Sequence, residues 1–232
     1  MATALPTSPA PRQTVVNWRS NSLRTASPLS GAQQTSSRLG GVWQLEIELP
    51  PMSKLDWGNW QGAIFSVDGV ATALSAGPDH PHQLDWYNPN ANSERADDAY
   101  SLRLNFTAGA YYSREASART VLVNGAASAN ATTLAVDGLN GVGFNRGDWI
   151  SVNNGTFDEL HIITADAWPN SSGEATLTIH PPLRRAVADN AAVTYNNPKG
   201  EFLFADIDGA QSSTLLSGAG QIDRITLVEF IR

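Results

Sequence analysis

Residues 42–67 read VWQLEIELPPMSKLDWGNWQGAIFSV, and this stretch predicts a strand, a break and a helix. Apolar residues occupy every second position of its first part, which is the period of a strand with one face buried. Pro50 and Pro51 then end the strand, because proline lacks an amide hydrogen and also restricts the residue before it. The predicted core positions of the strand are Trp43, Leu45, Ile47 and Leu49.

The second part of the stretch predicts a helix over residues 53–67. Ser53 is the expected N-cap, Asp56 follows near the positive end of the helix dipole, and Gly69 is the expected stop. Two interior glycines each cost the helix roughly 1 kcal/mol, so we expect it to depend on packing Trp57 and Trp60 against a sheet. The residues at approximately helical spacing are Leu55, Trp60, Ile64 and Val67, and we expect Trp43 and Trp60 to bridge strand and helix.

The composition indicates a folded chain of one large or two small domains, since 41% of its 232 residues are hydrophobic and 16% are charged. A net charge of −7 without a run of Lys or Arg argues against stable nucleic-acid binding. The absence of cysteine excludes disulfides, thiolate zinc sites and cysteine nucleophiles. No apolar run is long enough for a membrane span and no signal peptide is evident, so we expect a soluble protein without membrane insertion.

Short β-type runs separated by turn residues fill residues 121–195, which predicts a small closed or nearly closed β-barrel. Four of its turns need a residue with positive φ, namely Gly125, Gly138, Gly155 and Gly173. Longer strands return at residues 201–207 and 222–231. The sequence therefore predicts a discontinuous domain, residues 1–117 and 201–232, interrupted by an inserted β-domain at residues 118–200.

The first domain has several further predicted features. Residues 1–12 lack any period and predict an extended arm ordered by a neighbouring subunit. Residues 14–18 predict a short strand, and the polar residues 21–37 predict turns and an edge hairpin. Residues 71–74 and 100–106 predict two more strands, separated by a long polar loop of the kind that has a binding role or a partner.

Catalytic and metal-binding patterns are weak. His80 and His82 have the spacing of two metal ligands, but the other histidines lie in a different predicted domain. Asp206 and Asp208 resemble the start of a calcium loop without its remaining ligands. No nucleophile elbow or glycine-rich phosphate loop occurs. Paired carboxylates stay open, because sequence spacing does not reveal their separation. We expect no catalytic residue, no metal, no cofactor and no enzymatic activity.

Residues 27–67 resemble the start of distal tail proteins from long-tailed, siphovirus-type bacteriophages and prophages. In that family a Ser-Pro-Leu-(Ser/Thr)-Gly hairpin leads to a Trp-containing strand, a Leu-Pro-Pro break and a helix. Residues 147–150, 173–184 and 191–202 resemble the inserted β-domain of the same proteins, in the same order. Residues 83–117 are longer and more polar than the family pattern and predict an added surface contact or loop.

The resemblance implies a mainly β fold: a tail-tube-like β-sandwich flanked by one α-helix, with the small β-barrel as an outward insertion. It further implies a hexameric ring at the tail tip or baseplate of the virion, made in the bacterial cytoplasm, with the tail tube, tail hub and tail-fibre proteins as partners. DNA would pass through the lumen, whose face we expect to be neutral or acidic. The expected subunit contacts are the arm and Ser27, Pro28, Leu29, Ser30 and Gly31.

A carbohydrate-binding module or receptor-contacting accessory protein of the tail tip is the alternative, since flat aromatic rings bind sugars. Exposed, coplanar rings on the insert would favour it, whereas burial of Trp149 in a strand and packing of Trp168 at a turn would oppose it. The aromatic residues in question are Trp86, Tyr87, Trp149, Phe157 and Trp168.

Overall fold

The computed structural model describes residues 3–6, 8–9, 11–26, 33–36, 40–67, 72–78, 85–86, 120–139, 142–195, 197–206, 213–216, 219–222 and 224–231. The chain divides into two compact units, Met1–Asp79 with Gly200–Arg232 and His80–Lys199. Asp85 and Trp86, which were predicted to belong to the discontinuous domain, fall in the second unit. These two residues pair with Val142–Gly143, which explains the difference.

Eighteen strands and one helix form the described part of the chain. In chain order they are β1 (Thr3–Ala4), β2 (Gln13–Arg19), β3 (Leu23–Ala26), β4 (Gln33–Ser36), β5 (Val42–Glu48), α1 (Lys54–Ser66), β6 (Leu74–Ala76), β7 (Asp85–Trp86), β8 (Val121–Val123), β9 (Thr133–Asp137), β10 (Val142–Gly143), β11 (Trp149–Asn153), β12 (Asp158–Ala165), β13 (Ala175–His180), β14 (Ala192–Thr194), β15 (Gly200–Phe204), β16 (Ser213–Leu216), β17 (Ala219–Ile222) and β18 (Ile225–Glu229). The prediction of a mainly β chain with one helix and a small closed barrel is confirmed.

The first unit contains a six-stranded sheet in the order β1-β6-β15-β18-β5-β2, in which only the β1–β6 pair is parallel. Leu45 of β5 lies opposite Leu227 of β18, and Phe204 of β15 lies opposite Leu227 on its other side. Because cross-strand partners share a face, these residues form one continuous apolar surface. The buried hydrophobic residues among those described in this unit are Trp43, Leu45, Ile47, Leu49, Met52, Trp60, Ile64, Val67, Ala73, Leu74, Ala76, Phe202, Phe204, Ile222, Ile225 and Leu227.

Helix α1 begins after Ser53, whose hydroxyl accepts from the amide of Asp56. The prediction that Leu55 belongs to the apolar face of the helix is wrong, because Leu55 is 74% exposed. Successive residues turn by about 100°, so Leu55 points roughly 140° away from Trp60. The buried helix residues are Trp60 and Ile64, one turn apart. Gly69, the expected stop, lies outside the described residues.

The second unit contains a closed barrel of six strands in the order β11-β12-β13-β9-β8-β14. All four predicted turn glycines, Gly125, Gly138, Gly155 and Gly173, have positive φ. The barrel is filled by apolar side chains that include Leu134, Val136, Phe144, Ile150, Val152, Leu177 and Val193. The turn chemistry and the alternation of apolar residues therefore account for this unit together.

Other strand predictions need correction. The C-terminal strand predicted over residues 222–231 is two elements, β17 and β18, and β17 forms a hairpin with β16 that was not predicted. The strand predicted at residues 71–74 occurs later, as β6. The polar residues 21–37 contain the expected hairpin, β3 with β4. The strand predicted at residues 100–106 lies outside the described residues.

The described residues of the N-terminal arm are bonded to their own chain, and the prediction that a neighbour orders the arm stays a prediction. Thr3–Ala4 pairs with β6. The indole nitrogen of Trp60 donates to the carbonyl oxygen of Ser8 at 3.1 Å. The amide of Arg12 donates to the carbonyl oxygen of Glu48 at 2.8 Å. These three contacts satisfy polar groups that an extended arm would otherwise leave to solvent.

Candidate functional site

Strand β2 is an edge of the six-stranded sheet and is the first candidate assembly surface. Within the described residues it pairs only with β5, and the register is regular over all seven residues. Thr14, Val16 and Trp18 lie on the same face as the buried residues of β5, but each is only half-buried. An edge strand with partly exposed apolar side chains is suited to pairing with another chain.

Trp18 and Trp43 lie near the end of the β2–β5 pair at which β2 ends and β5 begins. They are cross-strand partners, and their rings meet edge to face with centroids 4.9 Å apart. Trp18 also lies against Gly41, where an added β-carbon would collide with the indole ring. Gly41 is therefore required for close packing at the point where the chain enters β5.

Two ion pairs lie on the other face of the β2–β5 pair. Arg224 Nη1 is 2.8 Å from Glu46 Oε2, and Arg12 Nη1 is 3.5 Å from Glu48 Oε1. Both acids alternate with the buried residues of β5 and are partly exposed. Exposed pairs of this kind contribute little to stability. This face is polar, and each of its two acids is paired with an arginine.

The residues expected to join strand and helix are all buried: Trp43, Leu45, Ile47, Leu49, Trp60 and Ile64. The ring contact found for Trp43 is with Trp18, and Trp60 bonds to Ser8. Trp57, by contrast, packs on Gly220 of β17, where a β-carbon would collide with its ring. The described packing of α1 thus includes the β16–β17 hairpin, and a Trp43–Trp60 bridge stays a prediction.

The expected subunit contacts Ser27, Pro28, Leu29, Ser30 and Gly31 lie outside the described residues. The strands that flank them are described, and β3 pairs with β4 from Leu23↔Ser36 to Ala26↔Gln33. The hairpin lies between β2 and β5 in the sequence, and those two strands also pair with each other. The β3–β4 hairpin forms a separate two-stranded sheet, and its two strands flank the expected contact in the sequence.

The three described aromatic side chains in question, Trp149, Phe157 and Trp168, do not form an exposed platform. Trp149 and Trp168 are half-buried and Phe157 is buried. Trp168 lies against Gly143, and the guanidinium of Arg185 sits over the Phe157 ring at 5.5 Å from its centroid. The backbone of Trp86 pairs with Val142, and Tyr87 lies outside the described residues. This arrangement does not favour the glycan-binding alternative.

An acid and a histidine occupy the barrel interior, and the sequence did not single them out. Across β11 and β12, Val152 pairs with Glu159 and Ile150 pairs with His161. Both polar side chains therefore share the inner face with core residues. Their exposed fractions are 1% for Glu159 and 0% for His161. Polar side chains buried so completely require hydrogen-bond partners.

The partners of this pair come from two other segments. Glu159 accepts from Asn154 Nδ2 at 2.7 Å and from the backbone amide of Arg184 at 2.8 Å. His161 Nδ1 is 2.8 Å from the carbonyl oxygen of Pro181, and Nε2 is 3.6 Å from Glu159 Oε2. Burial by itself raises the pKa of Glu159, but its contacts with His161, Asn154 and Arg184 lower the pKa below the ordinary value.

Potential metal ligands do not cluster in the described part of the chain. No group of three His, Asp or Glu side chains there is arranged to hold a metal ion. His80 and His82 lie outside that part, as does Asp208. No helix among the described residues is long and apolar enough to cross a membrane. Comparison with known proteins found no matching family model and no matching curated protein.

Proposed function

We propose that this chain is a structural protein of a bacteriophage tail tip, a distal tail protein whose copies form a ring that joins the tail tube to hub or fibre proteins. The proposal begins from the resemblance of residues 27–67 and of three later stretches to that family. The order of hairpin, strand, double proline and helix supports it, because the resemblance implies the same order. A barrel encoded between β6 and β15 of the main sheet agrees with an inserted domain.

The place of strand β2 at the edge of the described six-stranded sheet is the observation that carries the proposal. Strand β2 has no proline, its register with β5 has no irregularity, and Val16 and Trp18 stay half-buried there. Natural proteins usually protect such an edge or use it for association. A head-to-tail ring would cover this edge on every subunit, since each copy would offer one surface and accept another.

The charge balance supports a ring through which DNA passes. The chain has a net charge of −7, and Glu46 and Glu48 on the polar face of β5 are each matched by one arginine. A neutral or acidic lumen would not bind the phosphate backbone, because that binding requires uncompensated Lys or Arg. The proposed lumen thus permits passage and opposes retention of DNA.

The first test is the mass of the purified full chain by light scattering, with negative-stain images of the same sample. Six-membered rings are expected. A Leu29→Asp variant should lower the mass toward that of one subunit, because a charge would be buried at the expected contact. The control is Thr176→Asp, which adds the same charge at an exposed position of β13 and should leave the rings intact. A wild-type protein that stays monomeric at all concentrations would contradict the proposal.

A further inference from the structure

The two edges of the described six-stranded sheet differ in length. Strand β2 at one edge has seven residues and pairs with β5 over its whole length. Strand β1 at the other edge consists of Thr3 and Ala4 alone. It pairs with Leu74 and Ser75 of β6. A short edge strand is one of the means by which natural proteins prevent unwanted pairing between sheets. The β6 edge is therefore covered by a strand of minimal length.

The directions of the strands decide how the two edges can meet in a ring. From β6 through β15, β18 and β5 to β2, each neighbouring pair is antiparallel. These four reversals leave β2 and β6 pointing the same way. Rotation about an axis along the strands keeps these directions in every copy of a ring. β2 of one copy would therefore lie parallel to β6 of the next. β1 is also parallel to β6, so it already occupies the position and direction that a neighbouring β2 would take.

The side chains of the two edges match as well. Leu74 of β6 and Phe202 of β15 are buried cross-strand partners at one end of the apolar surface of the sheet. Val16 and Trp18 of β2 lie at the other end and are half-buried. The one charged residue of β2 is Arg19, and β6 has none, so no like charges oppose the approach of these strands. Joining them would extend the apolar surface from copy to copy.

The pairing of β1 with β6 is weak. A parallel pair is slightly less stable per residue than an antiparallel pair, and β1 contributes two residues. Ala4 is exposed, so the strand buries little of its own surface. Three prolines follow, at Pro6, Pro9 and Pro11, and proline has no amide hydrogen with which to lengthen a ladder. A longer strand could therefore displace β1 at small cost.

The rest of the arm is fixed independently of β1. The indole nitrogen of Trp60 donates to the carbonyl oxygen of Ser8, and the amide of Arg12 donates to the carbonyl oxygen of Glu48. Neither bond involves β1. The end of the arm can therefore leave β6 while Ser8 and Arg12 stay bonded.

We propose that β1 is a removable cover and that the β6 edge beneath it receives β2 of a second copy of this chain when the ring closes. This inference rests on the proposed ring. In the free subunit, Thr3 and Ala4 keep the edge from pairing with other sheets. In the ring, β2 of the neighbour replaces them. The exchange substitutes a strand that contains Val15 and Val16 for a Thr-Ala pair, and β-branched residues are favoured in strands.

An engineered disulfide tests the exchange, because the chain has no cysteine of its own. Ala4→Cys with Ser75→Cys joins register partners of β1 and β6, and neighbouring strands are close enough for a disulfide. Light scattering of the full chain should show single subunits when the pair is oxidised and rings when it is reduced. Rings that form equally well in both states would overturn the cover and leave the ring itself standing.

Asn17→Cys with Gln44→Cys is the matched control. It joins register partners of β2 and β5, which stay paired in the proposed ring. Rings should therefore form in its oxidised and reduced states alike. Loss of rings on oxidation of this control would mean that a disulfide in the sheet blocks assembly wherever it lies, and it would count against the cover.

Deletion of residues 2–6 separates the cover from the ring. Without β1, the concentration at which half of the subunits are assembled should fall about tenfold, because about two backbone hydrogen bonds no longer compete with the neighbour. If the wild type stays monomeric and the deletion variant associates, the proposed function fails and the cover stands. A deletion variant that associates no more readily than the wild type would overturn the cover, whether or not the wild type forms rings.

Discussion

Trp18 and Trp43 face each other across the β2–β5 pair, with ring centroids 4.9 Å apart and an angle of 67° between the rings. Edge-to-face pairs of this kind contribute about 0.5–1.5 kcal/mol beyond the area they bury. Trp43→Ala should lower the free energy of unfolding by about 3–5 kcal/mol. A double-mutant cycle of Trp43→Ala and Trp18→Ala, measured by unfolding in urea, should give a coupling energy of about 0.5–1.5 kcal/mol. Additive effects would contradict a direct ring interaction.

Trp60 and Leu55 give a matched comparison within helix α1. Trp60 is 1% exposed and bonded to Ser8, whereas Leu55 is 74% exposed. Trp60→Ala should destabilise the protein by about 3–5 kcal/mol. Leu55→Ala should change the free energy of unfolding by less than about 0.5 kcal/mol, because an exposed side chain loses few contacts. Similar effects in both variants would mean that the helix presents a different face to the core.

Replacing either of two glycines by alanine should change the stability of the protein in opposite directions. Gly58 lies in α1 with no atom near the place of a β-carbon, so Gly58→Ala should stabilise the protein by about 0.5–1 kcal/mol. A β-carbon at Gly220 would collide with Trp57, so Gly220→Ala should destabilise it by about 1–3 kcal/mol. Thermal unfolding of both variants gives the comparison. A neutral Gly220→Ala variant would show that Trp57 does not pack on β17.

His180 predicts a loss of stability in mild acid. Burial, with help from the charges of Arg184 and His161, lowers its pKa below the ordinary value of 6.5. Just below pH 6.5 the unfolded chain therefore binds a proton that the folded chain does not, and stability falls as the pH decreases toward the folded pKa. His180→Gln should remove this component from urea-unfolding curves. An unchanged slope in the variant would assign the pH dependence to other groups.

Glu159 predicts a second loss of stability at lower pH. Its pKa is lowered in the folded state, so its contribution is complete above the ordinary value of 4.5 and is lost as the pH falls through the folded pKa. The free energy of unfolding of the wild type should fall more in this range than that of Glu159→Gln. Parallel curves for the two proteins would contradict the assigned sign.

Local patterns predicted the parts of the fold that local physics controls. Alternation predicted β5, the double proline predicted its end, and Ser53 predicted the start of α1. Asn-Gly, Asp-Gly and Ser-Gly pairs predicted the barrel turns. Each of these depends on a few consecutive residues, so one sequence suffices.

Contacts between distant residues were not predictable in the same way. Gly220 packs against Trp57 so closely that a β-carbon would collide with the ring. The two residues are far apart in the chain, and a single glycine in a sequence does not reveal which residue packs on it. Glu159 and His161 were missed because alternation in β12 places Leu160 and Ile162 on one face, which suggests that the acid and the histidine face solvent. Only the closure of the barrel shows that they point inward.

Ala76 of β6 and Gly200 of β15 are cross-strand partners, although residues 77–199 lie between them along the chain. The entropy cost of closing such a connection grows only with the logarithm of its length, by about 0.6 kcal/mol for each doubling. The length of the intervening segment therefore adds little to the cost of pairing these two strands. Evolution or engineering can lengthen, shorten or exchange that segment while the main sheet keeps its register.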